Sequence, residues 1–427
     1  MIEEMTIKSS NQNGLQVHLC NTEKFKTINI MLTMKIPLKM EFTTARALIP
    51  QILVNGSKNY PNRRLIKQRL DEMFGATLFT DVQKKGDNHY ISFRMEVPGD
   101  QYLNISNSLL EKSLHFLHEI VYKPALENGA FYNSIVEKEK RFLEQRIYSM
   151  YNDKIIYAND RLIEEMFKND PYGLSALGRI EEIPSLNAAF IYSVYKELLQ
   201  NASLDLFIVG AFNVKEVQQM IVKIFSEEYN NKPTKKIHLD VKNVSNVRVI
   251  QEKLDVEQGQ LLLGYRTFTT IQDDDYEATL VANALFGRFP SSKLFVNLRE
   301  KKSLAYFILS RIEINKGLLI TMAGIDFKNY DYAVQVIREQ EYAIKEGHFT
   351  DAEVEHAKAM LINLLLESLD NPLGIMDITI QSIDRGSSNN ITDQIKRISM
   401  ITKSDVIRVA NKWVLDTIYF LDKKESE

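Results

Sequence analysis

One stretch of this chain is written twice. Asn128-Gly-Ala-Phe-Tyr-Asn-Ser-Ile-Val-Glu-Lys-Glu-Lys-Arg-Phe-Leu143 aligns without a gap on Glu346-Gly-His-Phe-Thr-Asp-Ala-Glu-Val-Glu-His-Ala-Lys-Ala-Met-Leu361, with Gly, Phe, Val, Glu, Lys and Leu coinciding. Two further segments match in the same order. Leu65 to Leu78 falls on Lys293 to Tyr306, a helix running into a strand in both places, and the strand at Thr27 to Ile36 falls on Gly259 to Thr267. Helix-entry sequences often look alike, but order kept over three segments marks a duplicated domain. A length of 427 residues accommodates two copies, each with its own core. The polar, Pro233-containing stretch from Glu227 onward is where a linker is expected, giving an N-terminal domain over 1–226, a linker over 227–245 and a C-terminal domain over 246–427.

Alternating runs at Leu15–Leu19, Thr27–Met34 and His89–Val97 read as half-buried strands of antiparallel type. Leu110, Leu114, Leu117 and Val121 make one apolar face of an amphipathic helix over 107–121. The expected class is α+β: two homologous domains, each an antiparallel sheet with helices packed on one face.

Composition removes several functions. A net charge of -3 gives no electrostatic reason to expect a nucleic-acid partner. Cys20 is the single cysteine, which excludes an internal disulfide or a cysteine-rich metal site. Acids stand at Glu3 and Glu4 where a signal peptide needs a basic flank, and no apolar run approaches the roughly 20 residues of a spanning helix. A cytoplasmic location without membrane contact is the expectation.

Hydrolytic zinc needs three protein ligands, commonly two histidines one helical turn apart, and a carboxylate base. His115-Phe-Leu-His118-Glu119 comes nearest, with Tyr122 where His-Glu-x-x-His requires its second histidine. Both histidines fall off the apolar stripe of their helix, so a solvated helix side is expected for them. His18, His89, His238, His348 and His356 are scattered, and no phosphate loop, dinucleotide fingerprint or Gly-x-Ser-x-Gly elbow is present.

Ala45 to Gly75, including Arg46-Ala-Leu-Ile-Pro-Gln-Ile-Leu-Val-Asn-Gly-Ser-Lys-Asn-Tyr-Pro and Leu70-Asp-Glu-Met-Phe-Gly, resembles the zinc helix and following helix of the pitrilysin or insulinase family, the inverted zincins. The resemblance covers essentially the whole chain and extends to the YmfF-type bacterial members, described as probable inactive metalloproteases. It implies the LuxS/MPP-like metallohydrolase fold. The family's His-x-x-Glu-His then falls on Ala47, Leu48, Ile49, Pro50 and Gln51, removing both ligands and the base. Proline in a helix interior costs about 3 kcal/mol unless it sits in the first turn. The family's third ligand falls on Arg146, a fixed cation that repels Zn²⁺. Glu139 stands at a supporting carboxylate position and is expected to pair with Arg146 or nearby lysines. No metal is expected in this chain.

In the second half, Ser291-Ser-Lys-Leu-Phe-Val-Asn-Leu-Arg-Glu-Lys-Lys-Ser-Leu-Ala-Tyr306 is similar to the family segment whose Arg and Tyr hold substrate carbonyls beside the zinc. These map onto Arg299 and Tyr306. A guanidinium and a phenol O–H are suitable donors to a peptide carbonyl and to the oxyanion formed on attack. Spacing alone reads them as a solvated helix end and an ordinary strand residue; the role rests on the resemblance. Two departures are Gly287-Arg-Phe-Pro290 in place of a Gly-rich approach and Ser303 in place of glycine. The resemblance therefore implies a zinc-less subunit that binds a peptide substrate and forms a heterodimer with a homologous, zinc-bearing peptidase subunit. The alternative is a non-catalytic structural or peptide-binding protein of the same fold.

Overall fold

A computed structural model describes residues 7–103, 108–168, 170–226, 246–386 and 391–424. The expected linker over 227–245, with His238, lies outside these residues. Two compact units are formed, one from residues 1–148 with 175–233, the other from 149–174 with 234–427.

In chain order the first half contains β1 (Ile7–Gln12), β2 (Leu15–Asn21), β3 (Thr27–Pro37), α1 (Thr43–Leu53), α2 (Arg63–Glu72), β4 (Thr77–Lys85), β5 (Asn88–Pro98), α3 (Leu109–Tyr122), the short hairpin β6 (Leu126–Glu127) and β7 (Ala130–Phe131), α4 (Asn133–Asn152), α5 (Lys154–Met166), α6 (Ala188–Asn201), β8 (Ser203–Gly210) and α7 (Val214–Ile224). Its sheet runs β1-β2-β8-β3-β5-β4. The second half contains β9 (Arg248–Leu254), β10 (Gly259–Arg266), α8 (Tyr276–Asn283), β11 (Ala305–Glu313), β12 (Leu318–Ile325), α9 (Tyr330–Lys345), α10 (Asp351–Ser368), α11 (Pro372–Arg385), α12 (Ile391–Met400), α13 (Lys403–Ala410) and β13 (Val414–Lys423). Its sheet, read as β9-β13-β10-β12-β11, repeats β2-β8-β3-β5-β4 of the first. The sheets are mainly antiparallel, with one parallel pair each, β2 with β8 and β9 with β13. The parallel pairs arise because β8 and β13 return to their sheets only after long helical crossovers, which antiparallel hairpins do not need.

The duplicated segment occupies matching places. Gly129 and Gly347 both take left-handed backbone, at φ 78° and 72°, which explains a glycine in both copies. Phe131, Val136 and Leu143 are buried, as are Phe349, Val354 and Leu361. Buried Lys140 pairs with Glu137 (2.9 Å) and donates to the carbonyl of Leu186 (2.9 Å), while buried Lys358 pairs with Glu355 (2.8 Å) and donates to that of Ile401 (3.1 Å). Each of these carbonyls immediately precedes the capping residue of the next helix, Asn187 for α6 and Thr402 for α13.

Alternation along β10 shows where the second core sits. Leu261, Leu263 and Tyr265 face a cluster with residues of α8, α9, α10 and α13 around Trp413. Leu262, on the opposite face, meets Ala158, Leu162, Ile163 and Met166 of α5. Helices of the second half thus cover one face as expected, and a helix encoded in the first half covers the other. Gly264 permits the close seat of α5, since a Cβ there would lie 2.3 Å from Met166 Sδ.

The solvated reading holds for His115 but not for its neighbours. His118 and Glu119 are each 6% exposed. His118 stacks on Tyr122 at 4.8 Å and meets the edge of Phe225, which follows α7, at 5.2 Å, and Glu119 accepts the backbone N–H of Asn59 (2.9 Å). A second helix lies against the side that periodicity assigns to water.

Candidate functional site

Helix α1 is buried on nearly every side. Fully buried Arg46 anchors it, donating to the carbonyl of Pro37 (2.8 Å) and to Glu197 of α6 (3.0 Å). Pro50 lies within the helix, well past its first turn, and is itself buried. It has no N–H to offer the preceding turn, so the helix bears a local cost here.

Ala47 and Gln51 open onto a cavity of about 450 Å³ within the first unit, walled by α1, α2, α4 and Leu78 of β4, and Arg146 reaches the same space. Three of the four positions assigned to the lost metal site are therefore brought together, while Pro50 does not line the cavity. Gln51 Nε2 donates to Thr80 Oγ1 (2.7 Å), and Asn55 Nδ2 donates both to the Gln51 carbonyl (2.7 Å) and to Glu139 (3.1 Å). Lys138 stands 3.8 Å from Glu139. Glu139 thus has a lysine partner as expected and an amide partner that was not, but no ion pair with Arg146, which acts on it only through space. Burial raises the Glu139 carboxyl above its usual range, against the pull of Lys138, Arg63, Asn55 and Arg146.

Zinc does not fit this donor set. Alanine offers no lone pair, proline no side-chain donor, and the arginine stays cationic, whereas zinc sites use thiolate, imidazole or carboxylate. Among the described residues no group of three or more His, Cys, Asp or Glu side chains is placed to hold a metal. Asn55, Arg63, Lys67 and Phe142 line the same cavity without having been singled out in the sequence. The signal was present for two of them: Arg63 and Lys67 are one helical turn apart, next to Ile66 and Leu70, which face the same way.

Arg299 and Tyr306 belong to the second unit. Residues Phe295–Lys301 form a π-helical turn, and exposed Arg299 at its end lies over the ring of Phe295 at 4.9 Å. A second π-helical turn, Ala284–Arg288, precedes it. Such turns are rare and recur at functional sites. Gly287 belongs to that turn, and a Cβ there would lie 2.5 Å from Ser310 Oγ and 2.7 Å from Leu294 Cδ1. Ser303 takes left-handed backbone at φ 49°, which accounts for the glycine that the resemblance leads one to expect at this position.

Tyr306 begins edge strand β11 and sits where the register against β12 shifts, between Ala305 and Phe307. Its side chain is 62% exposed and its hydroxyl donates to Asp326 Oδ1 at 3.0 Å. That bond to a carboxylate raises the phenol above its ordinary range and keeps it a proton donor. Bulges commonly re-aim a side chain out of the ladder.

The Peptidase M16 inactive domain matches residues 185–361. The chain is 43% identical to "Probable inactive metalloprotease YmfF" of Bacillus subtilis (strain 168), over 97% of both proteins. It is 24% identical to "Uncharacterized zinc protease YmfH" of the same organism, over 87% of this chain and 85% of that one. The crystal structure of a conserved protein from Enterococcus faecalis V583 superposes with a TM-score of 0.91 at 28% identity, covering 99% of this chain and 100% of that one. With its duplicated α+β domains and this degree of identity, the chain belongs to the M16 peptidase family, the pitrilysin or insulinase group, as one of its inactive-type members.

Proposed function

We propose that this chain is the zinc-less subunit of a heterodimeric M16 peptidase and lends Arg299 and Tyr306 to a site whose metal and base come from a homologous partner. The observation that carries this reading is the contrast between the two units. One has Ala47, Pro50, Gln51 and Arg146 at the positions that the resemblance assigns to the metal site, while the other has Arg299 and Tyr306 exposed, beside a π-helical turn and at a register shift.

The chemistry available to the pair is donation. An always-charged guanidinium and a neutral phenol bind a peptide carbonyl and stabilise the oxyanion that forms when water adds to it, and losing one such donor costs about 3 to 4 kcal/mol in the transition state. Tyr306 must leave Asp326 to donate to substrate, an exchange that an exposed phenol makes at little cost. One organism carries both a relative named as an uncharacterized zinc protease and one named as a probable inactive metalloprotease, which supports a division of labour between two chains.

The test is an unstructured-peptide assay of this chain mixed with a zinc-bearing homologue. Arg299→Ala and Tyr306→Phe are each expected to lower kcat/KM of the mixture at least 100-fold without changing the amount of complex formed. Unchanged activity for both variants refutes the role. A second reading, peptide binding without any part in hydrolysis, is favoured by the cavity retained in the first unit.

A further inference from the structure

The cavity at the positions assigned to the family's metal site is open, and its charged lining is mainly cationic. Arg146 on α4 and Arg63 and Lys67 on α2 all open into it, against a single lining carboxylate, Glu139. None of the three cations has a hydrogen bond or ion pair among the described residues. The two acids that act on Arg146 through space are engaged elsewhere: Glu139 with Asn55 and Lys138, and Asp81 with the backbone N–H of Val82 (2.9 Å) and Gln83 Nε2 (2.5 Å).

Arg146 is half-buried and partly stripped of water, and its fork of N–H donors has no protein acceptor among the described residues. Leu48, Ile66, Leu70, Leu78 and Leu143 supply apolar wall beside it. A volume of about 450 Å³ suits a few side chains rather than a single ion.

We propose that the vacated metal cleft is a binding site for a carboxylate carried on a peptide, with Arg146 as the bidentate anchor and Arg63 and Lys67 as flanking cations. Planar guanidinium matches planar carboxylate through two parallel bonds, and the apolar wall takes the aliphatic part of the same residue. The carboxylate belongs either to an acidic side chain or to a free C-terminus. This deepens the reading that the chain engages peptides, but it concerns other residues than Arg299 and Tyr306 and is measured without a partner.

The experiment is direct binding to the purified full-length chain by fluorescence anisotropy. One labelled, unstructured decapeptide is made in four forms: ending in a free carboxylate or an amide, each with a central glutamate or glutamine. Wild-type protein is expected to bind the carboxylate forms more tightly than the form that is both amidated and glutamine-bearing. Preference tracking the C-terminus identifies a terminal carboxylate, and preference tracking glutamate identifies a side chain. Arg146→Ala is expected to weaken the favoured form about 10- to 100-fold and to leave the uncharged form unchanged. Arg146→Lys, which keeps the charge but not the fork, falls between. Arg63→Ala with Lys67→Ala, both on exposed positions, checks the site independently of any packing effect at Arg146; it is expected to weaken binding several-fold and flatten its salt dependence. Equal binding of all four forms, no binding of any, or a preference that survives Arg146→Ala overturns the proposal. None of these results bears on the activity of the mixture, so the two readings fail separately.

Discussion

Buried His89 on β5 has its ring in the dry interior, with Nε2 donating to the carbonyl of Ala176 at 3.0 Å. Burial, helped by the charge of nearby Arg46, lowers its pKa from 6.5 to about 4. The unfolded chain therefore binds a proton between these values that the folded chain refuses, and stability falls as pH drops through that window. At most about 3 kcal/mol is lost by the lower end of the window. Urea melts of wild type and His89→Gln between pH 7 and pH 4 should differ in slope, the variant losing stability less steeply. Parallel profiles would show that His89 does not carry the effect. The sequence placed His89 on a strand but held no sign of this burial, because Arg46 of α1, whose charge acts on it, lies more than forty positions away in the chain.

Among the elements, α5 shows how far periodicity reaches. Ala158, Leu162, Ile163 and Met166 mark an apolar stripe, and such a stripe demands a partner surface without naming it. Its partner is the far side of β10, β12 and β13, beyond the expected linker. Gly264→Ala tests that seat, since the added methyl meets Met166; a loss of about 1 to 3 kcal/mol is expected in denaturant melts, and a much smaller further loss when it is made in a Met166→Ala background. The strands β2, β3 and β5 were legible because alternation is local, and β10 only through its match to β3. The burial of His118 was not, since it depends on Phe225 after α7. Nor were the two π-helical turns around Arg299, which differ from ordinary helix by one inserted residue and leave no compositional mark. The emptied metal positions were readable as letters, whereas the cavity they share with Arg63 and Lys67 needed the fold.

At the scale of the molecule, the two copies of the domain are not two separable lengths of chain. Residues 149–174 fold with the second unit before the chain returns at 175 to complete the first. The apolar face that α5 covers is buried core. A fragment of residues 246–427 leaves Leu262, Leu318, Ile320, Met322, Tyr419 and Leu421 bare. It is expected to bind a hydrophobic dye and to melt without cooperativity, and adding the fragment 1–245 in trans should restore a cooperative transition. Cooperative melting of the shorter fragment by itself would show that α5 is dispensable.

The place of β8 bears on how the chain leaves the ribosome. It lies between β2 and β3, which emerge early, yet it is made well over a hundred residues after them. Until it arrives, both earlier strands present unpaired edges to any neighbouring nascent chain. Translation that stalls before Ser203 should therefore yield aggregation-prone intermediates, and a holdase chaperone has its natural window of action between the synthesis of β3 and that of β8.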